Sequence, residues 1–168
     1  MLEGSNWYAL YVKSRHEFAT QSELQRKGIN TYLPSIKRIS QWKDRRKKID
    51  FPLFPGYLFV LVQPHPEAFL RVLKTRGSVT LLSSEPGQPT PVAADEIESL
   101  QLMIESGSDF DIHPRLQEGS RVKIMRGPLK GALGTIASKG DQYLFTVNIN
   151  ILGRSVSVKI YADDIEAD

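Results

Sequence analysis

Side chains able to do covalent chemistry are present in this chain, but none is spaced to do it. The 168 residues include no cysteine, which removes thiol nucleophiles, disulfides and thiolate metal ligands. His16, His65 and His113 lie far apart, and none has the spacing of a metal ligand. No Ser/His/Asp set, carboxylate pair or cofactor motif stands out, so an enzyme is not expected. Gly127-Pro128 and Gly131 are too far from a phosphate-loop pattern and read as turns. The chemistry on offer is electrostatic. Lys37 to Lys48 holds seven Lys/Arg, with Asp44 as the one acidic residue and Trp42 among the cations. Cations can hold phosphates, and an aromatic residue among them can stack on an unpaired base. A merely solvated face gives the same run, so both readings stand at this point.

The charge is unevenly spread. Residues 1–76 carry 14 Lys/Arg against 6 Asp/Glu, which is 14 − 6 = +8. Residues 77–106 carry no Lys/Arg and 5 Asp/Glu, and residues 107–168 carry 8 of each. A basic first half points to a polyanionic partner. No apolar run reaches membrane-spanning length and the start lacks the apolar core of a signal peptide, so a soluble, cytoplasmic protein is expected.

Several elements must position these groups. Phe51–Val62 (FPLFPGYLFVLV) joins a Pro55-Gly56 turn to a strand over Tyr57–Val62. That strand is apolar on both pleat faces, as is Trp7–Lys13, so the two should lie side by side in mid-sheet. The chain's own helices would cover one face, and a partner protein is a candidate for the other. Ser14–Gly28 reads as a helix with Ser14 and Glu17 as a capping box and apolar Phe18, Ala19 and Leu24. Ile29–Ile39 reads as extended and broken at Pro34, and Lys37–Lys48 as a projecting hairpin or loop. Pro66–Thr75 reads as a short helix, Ser78–Leu82 as an edge strand, and Ala93–Glu105 as a helix with Ile97, Leu100 and Ile104 on one face. Gly107 and Pro114 mark an irregular connection. Beyond it, Arg121–Arg126, Tyr143–Ile151 and Ser155–Ile160 alternate with period two, which suggests a small barrel.

The opening WYALYVK strand, the capped helix, LFPGYLFV, the Thr75-Arg76-Gly77 step and, after a linker, GSRVKIMRGPLKGALGTI resemble the NusG family of transcription elongation factors in order and spacing. Gly119–Ile136 resembles a KOW motif. The resemblance covers nearly the whole chain. It implies an α+β fold: an antiparallel or mixed sheet with flanking helices over 1–106, a linker over 107–118, and a KOW β-barrel over 119–168. It implies a non-catalytic, monomeric factor without cofactors that promotes processive elongation and antitermination. By position, Trp7, Phe54 and Tyr57 fall in the aromatic patch that binds the clamp helices of RNA polymerase. Lys13, Arg15, His16 and Arg76 fall on a rim that faces the non-template DNA strand, with Trp42, Lys43, Arg45 and Arg46 as further nucleic-acid candidates. The resemblance gives the KOW domain a partner of its own, a ribosomal protein or Rho, although Leu129 stands where the housekeeping factor has a contacting phenylalanine. QWKDRRKK followed by PLFPGYLFV is closer to specialised paralogues such as RfaH, but Ala68, Phe69 and Leu70 replace the His-Thr-Thr run of that protein. In RfaH the C-terminal module can refold as a helical hairpin. Here the alternation and the β-branched Val147, Ile149 and Ile151 predict a barrel that stays β and hangs on a tether. The competing reading is a KOW-type RNA- or ribosome-binding protein whose basic first half grips RNA.

Overall fold

The computed structural model describes residues 4–42, 45–107, 110–114, 119–139, 142–160 and 165–167. The chain forms two compact units, Met1–Pro91 and Val92–Asp168.

In the first unit, β1 (Asn6–Val12) is followed by α1 (Glu17–Arg26), β2 (Asn30–Tyr32), β3 (Ser35–Trp42), β4 (Arg45–Pro52), β5 (Tyr57–Val62), α2 (Pro66–Leu73) and β6 (Ser78–Leu81). The main sheet runs β2-β5-β1-β6 with antiparallel neighbours. The two doubly apolar strands are therefore its centre, as their composition demands. Tyr8, Leu10 and Val12 of β1 and Leu58, Val60 and Val62 of β5 form one core with Leu24 of α1 and Val72 of α2, against which Phe69 packs. Full burial of each such side chain is worth roughly 1.5–3 kcal/mol. β3 and β4 pair only with each other, as a separate two-stranded ribbon.

The start of α1 differs from the sequence expectation. Arg15 sits in the left-handed region at φ 65°, and the helix begins at Glu17 with His16 as N-cap and no side-chain cap. Ser14 is thus too far upstream to cap. Its carbonyl accepts from His16 Nδ1 at 2.9 Å, and the Glu17 carboxylate turns elsewhere. The helix buries Glu17, Thr20 and Leu24, while Phe18 is exposed. α2 buries Val72, while Leu73 is exposed.

A two-residue strand, β7 (Pro91–Val92), spans the boundary in sequence, with Pro91 in the first unit and Val92 in the second. The second unit opens with α3 (Ala94–Glu105) and continues with β8 (Phe110–Pro114), β9 (Ser120–Ile124), β10 (Leu133–Lys139), β11 (Gln142–Ile149), a 3-10 turn at Asn150–Leu152, β12 (Arg154–Ile160) and β13 (Ile165–Ala167). Its sheet runs β13-β9-β10-β11-β12-β8. Val122, Ile124, Phe145, Val147, Ile149, Val156 and Val158 are buried, as the alternation requires. Ile151 leaves the strand pattern because the chain turns over Gly153, which is left-handed at φ 62°. Two further features depart from expectation. Phe110–Pro114, read as irregular linker, pairs with Val158–Arg154, and its position at the end of the sheet tolerates Pro114. α3 packs on β10 and β11 with Ile97, Leu100 and Met103 buried. Ser99 Oγ accepts from the Leu133 amide at 2.8 Å, Arg121 pairs with Asp95 at 3.0 Å, and Asn150 Nδ2 donates to Glu96 at 2.8 Å.

Candidate functional site

The pairing register of the main sheet sorts its second face. Trp7 lies opposite Leu61, Ala9 opposite Phe59, Tyr11 opposite Tyr57, and Tyr32 opposite Phe59 on the next strand. Directly opposed residues share a pleat face, so four aromatic residues besides Phe59 lie on one surface. Tyr11 and Tyr57 meet with ring centroids 5.4 Å apart, and Tyr32 stacks on Phe59 at 6.4 Å. Tyr11 is 40% exposed, and Trp7, Tyr32, Tyr57 and Leu61 are half-buried. Phe54 departs from this arrangement. It is 4% exposed and lies within the turn, where its carbonyl accepts from the Tyr57 amide at 3.0 Å. Its side chain is core, and the exposed positions expected of Trp7, Phe54 and Tyr57 reduce to Trp7 and Tyr57. Tyr11 and Tyr32 join them. Tyr11 was legible by parity, two strand positions from Ala9 and four from Trp7, whereas Tyr32 needed the register of a three-residue strand.

The turn before Tyr57 is held at Gly56 by two hydrogen bonds. The Gly56 carbonyl accepts from the Val12 amide at 2.8 Å, and the Gly56 amide donates to Glu17 Oε2 at 3.0 Å. Gly56 has φ 90°, and a Cβ there would stand 3.3 Å from the Tyr11 ring. The buried Glu17 carboxylate thus ties α1 to the turn that presents Tyr57.

The same edge of the sheet gathers the rim. The Lys13 amide donates to the Gly77 carbonyl at 2.8 Å, and Thr20 Oγ1 donates to the Arg76 carbonyl at 2.9 Å. Gly77 has φ 90°, and a Cβ there would collide with Thr20 Oγ1 and crowd His16. Residues 13–16 and 76–77, far apart in sequence, are thereby brought together. Lys13, Arg15 and Arg76 are exposed and His16 is half-buried. The other nucleic-acid candidates belong to the ribbon, where Trp42 pairs with Arg45 and Gln41 with Arg46. Lys43 lies outside the described residues.

In the second unit, a cleft of about 510 Å³ lies between α3 and β10–β11 and is bordered by Asp95, Arg121, Thr146 and Asn148. Its one cation, Arg121, already pairs with Asp95. Leu129 is 5% exposed and so offers little surface to a partner. Among the described residues, no group of acidic or histidine side chains could hold a metal ion, and no helix is long and apolar enough to cross a membrane.

A family model described as "Transcription termination factor nusG" matches residues 5–101. The transcription termination/antitermination protein NusG of Chlamydia pneumoniae is 28% identical over 171 residues, covering 95% of this chain and 91% of that protein. NusG of Staphylococcus carnosus is 23% identical over 172 residues, covering 95% of this chain and 94% of its own. Among solved structures, NusG of Thermotoga maritima matches with a TM-score of 0.50 and 23% identity, over 96% of each chain.

Proposed function

The chain belongs to the NusG family of non-catalytic transcription termination and antitermination factors, and on that premise we propose that its first unit binds the clamp helices of RNA polymerase through the face carrying Trp7, Tyr11 and Tyr57. One observation carries the reading. A central sheet with one face fully packed beneath α1 and α2 keeps large aromatic side chains half-exposed on the other. Aromatic residues are enriched where interfaces concentrate their binding energy. Tyr11 and Tyr57 are already in contact, so little side-chain entropy remains to be lost on binding.

The rim of Lys13, Arg15, His16 and Arg76 then meets the non-template DNA strand beside the polymerase. In this reading the protein works in the cytoplasm, restrains pausing, and acts as a specialised antiterminator. Residues 1–106 form the polymerase-binding module, since the family match runs to residue 101. α3 falls within those bounds, although it packs on β10 and β11 of the second unit. Residues 107–118 connect this module to the KOW barrel of 119–168. The barrel recruits a partner of its own, a ribosomal protein or Rho, through a surface other than the buried Leu129.

Binding to an isolated clamp-helix fragment and to a paused elongation complex tests this. Tyr57→Ala should weaken both by about 2 kcal/mol, near thirtyfold, with the fold retained. Arg76→Glu should weaken recruitment to the complex and leave the fragment untouched. Normal fragment binding by Tyr57→Ala would refute the polymerase face. Retention of ribosomal material that nuclease releases, in place of polymerase, would favour direct RNA binding.

A further inference from the structure

Helix α1 turns one stripe toward the rest of the first unit. Glu17, Thr20, Leu24 and the C-cap Lys27 follow one another at steps of three and four, so they share a face. Leu24 fills the core, and each polar member grips another segment. Glu17 holds the turn at Gly56. Lys27 Nζ donates to Thr75 Oγ1 at 2.9 Å and to the Arg71 carbonyl at 3.1 Å. Thr20 is fully buried, and its hydroxyl donates to the Arg76 carbonyl at 2.9 Å. A threonine hydroxyl can instead turn to the carbonyl four residues back, as that of Thr75 does at Arg71. Thr20 reaches a residue 56 positions away.

The carbonyl it holds belongs to a peptide that can flip. Thr75–Ser78 is a turn closed by the Ser78 amide, which donates to the Thr75 carbonyl at 3.0 Å, and Gly77, its third residue, is left-handed at φ 90°. A left-handed third residue marks a type II turn. Types I and II differ by a flip of the middle peptide, here Arg76–Gly77, and glycine admits both. On the far side of that peptide the Gly77 carbonyl accepts from the Lys13 amide. Lys13 opens a second turn of the same kind, closed by the His16 amide at 3.0 Å, with Arg15 left-handed at φ 65°. That position favours glycine or asparagine, and strain of this kind collects where a backbone is held for function.

We propose that Thr20 is a positioning residue for nucleic-acid binding: its hydroxyl locks the Arg76–Gly77 peptide and so aims the exposed Arg76 at a phosphate of a single strand. The inference rests on the reading above, in which this rim meets the non-template strand. Thr20 is buried and touches no ligand. With its hydroxyl in place, the backbone that carries Arg76 is set before the strand arrives, and binding does not have to order it. Without it, the peptide populates both orientations, and affinity falls with the competent fraction. Loss of one neutral hydrogen bond shifts such an equilibrium by about fivefold.

Thr20→Val keeps the shape of the side chain and removes the donor, whereas Thr20→Ser keeps the donor. Each full-length variant is measured for recruitment to a paused elongation complex and for binding to the isolated clamp-helix fragment. Thr20→Val should weaken recruitment by about fivefold and leave the fragment unchanged, while Thr20→Ser should be recruited like the parent. In an Arg76→Ala background, Thr20→Val should cause no further loss, because the group it aims is gone. Should Thr20→Val fail to fold by circular dichroism, Thr20→Ala carries the same expectations. Equal loss in both assays would overturn the proposal, since a merely structural role predicts it. Unchanged recruitment of folded Thr20→Val, a Thr20→Ser variant as weak as Thr20→Val, or an undiminished loss in the Arg76→Ala background would also overturn it. Arg76→Glu separates this from the rim itself. If that variant is recruited normally, the rim reading falls and the proposal with it. If it is recruited poorly while Thr20→Val is recruited normally, the positioning role alone falls.

Discussion

Replacing Glu17 by Ala removes the carboxylate that holds the turn before Tyr57. Glu17 is 6% exposed and accepts from the Gly56 amide at 3.0 Å. A hydrogen bond to a charged group contributes roughly 1.5–3 kcal/mol, and its loss leaves the amide without that acceptor. Taking about 2 kcal/mol, at about 1.4 kcal/mol per factor of ten, local opening at Gly56 should become near thirtyfold more frequent. Native-state amide exchange by NMR reads this directly, with Gly56 and Tyr57 as reporters and Leu58, deep in β5, as the control. Over a unit of this size the same loss lowers the melting temperature by about 8–16 °C. Glu17→Gln keeps a side-chain carbonyl as acceptor and, at about 0.5–1.5 kcal/mol for a neutral bond, should retain a good part of the protection. Near-ultraviolet circular dichroism should report loosening of the Tyr11–Tyr57 pair in the Ala variant only. If Gly56 exchange rises less than threefold in a folded Glu17→Ala chain, the carboxylate does not hold the turn and the reasoning fails.

Three further outcomes follow from the second unit. Gly134→Ala places a methyl 2.9 Å from the Phe145 ring and against the Thr146 carbonyl, so thermal melting should show a loss of roughly 1–3 kcal/mol. Ser99→Ala strips the Leu133 amide of its acceptor and should cost about 1–2 kcal/mol, seen as faster exchange at Leu133. Backbone chemical shifts of the free full-length protein should be those of strands across Tyr143–Ile149 and Arg154–Ile160, and helical shifts there would refute a stable barrel.

The sequence by itself determined which strands are central. Tyr57–Val62 and Asn6–Val12 carry apolar side chains on both faces, and only mid-sheet positions accept that. It also determined the barrel strands, because period-two alternation through Phe145, Val147 and Ile149 has no helical counterpart. The basic run and its hairpin were legible from charge and from the scarcity of residues that could be buried. Tertiary structure decided the rest. The capping box was locally sound, but the left-handed Arg15 shifted the helix start and the distant Gly56 amide took the Glu17 carboxylate. Phe54 and Tyr57 are three residues apart and equally aromatic. The turn puts one in the core and the other on the surface, a difference that no local pattern encodes. Pairing of Phe110–Pro114 with β12 depends on partners 40 to 48 residues away in sequence, an order of separation beyond any propensity window. The rim was assembled by the backbone hydrogen bond from Lys13 to Gly77 and by the Thr20 hydroxyl donating to the Arg76 carbonyl. Non-local contacts of this kind are chosen by the whole packed fold, because only there do the gains of burial and hydrogen bonding outweigh the entropy of closing the chain between them.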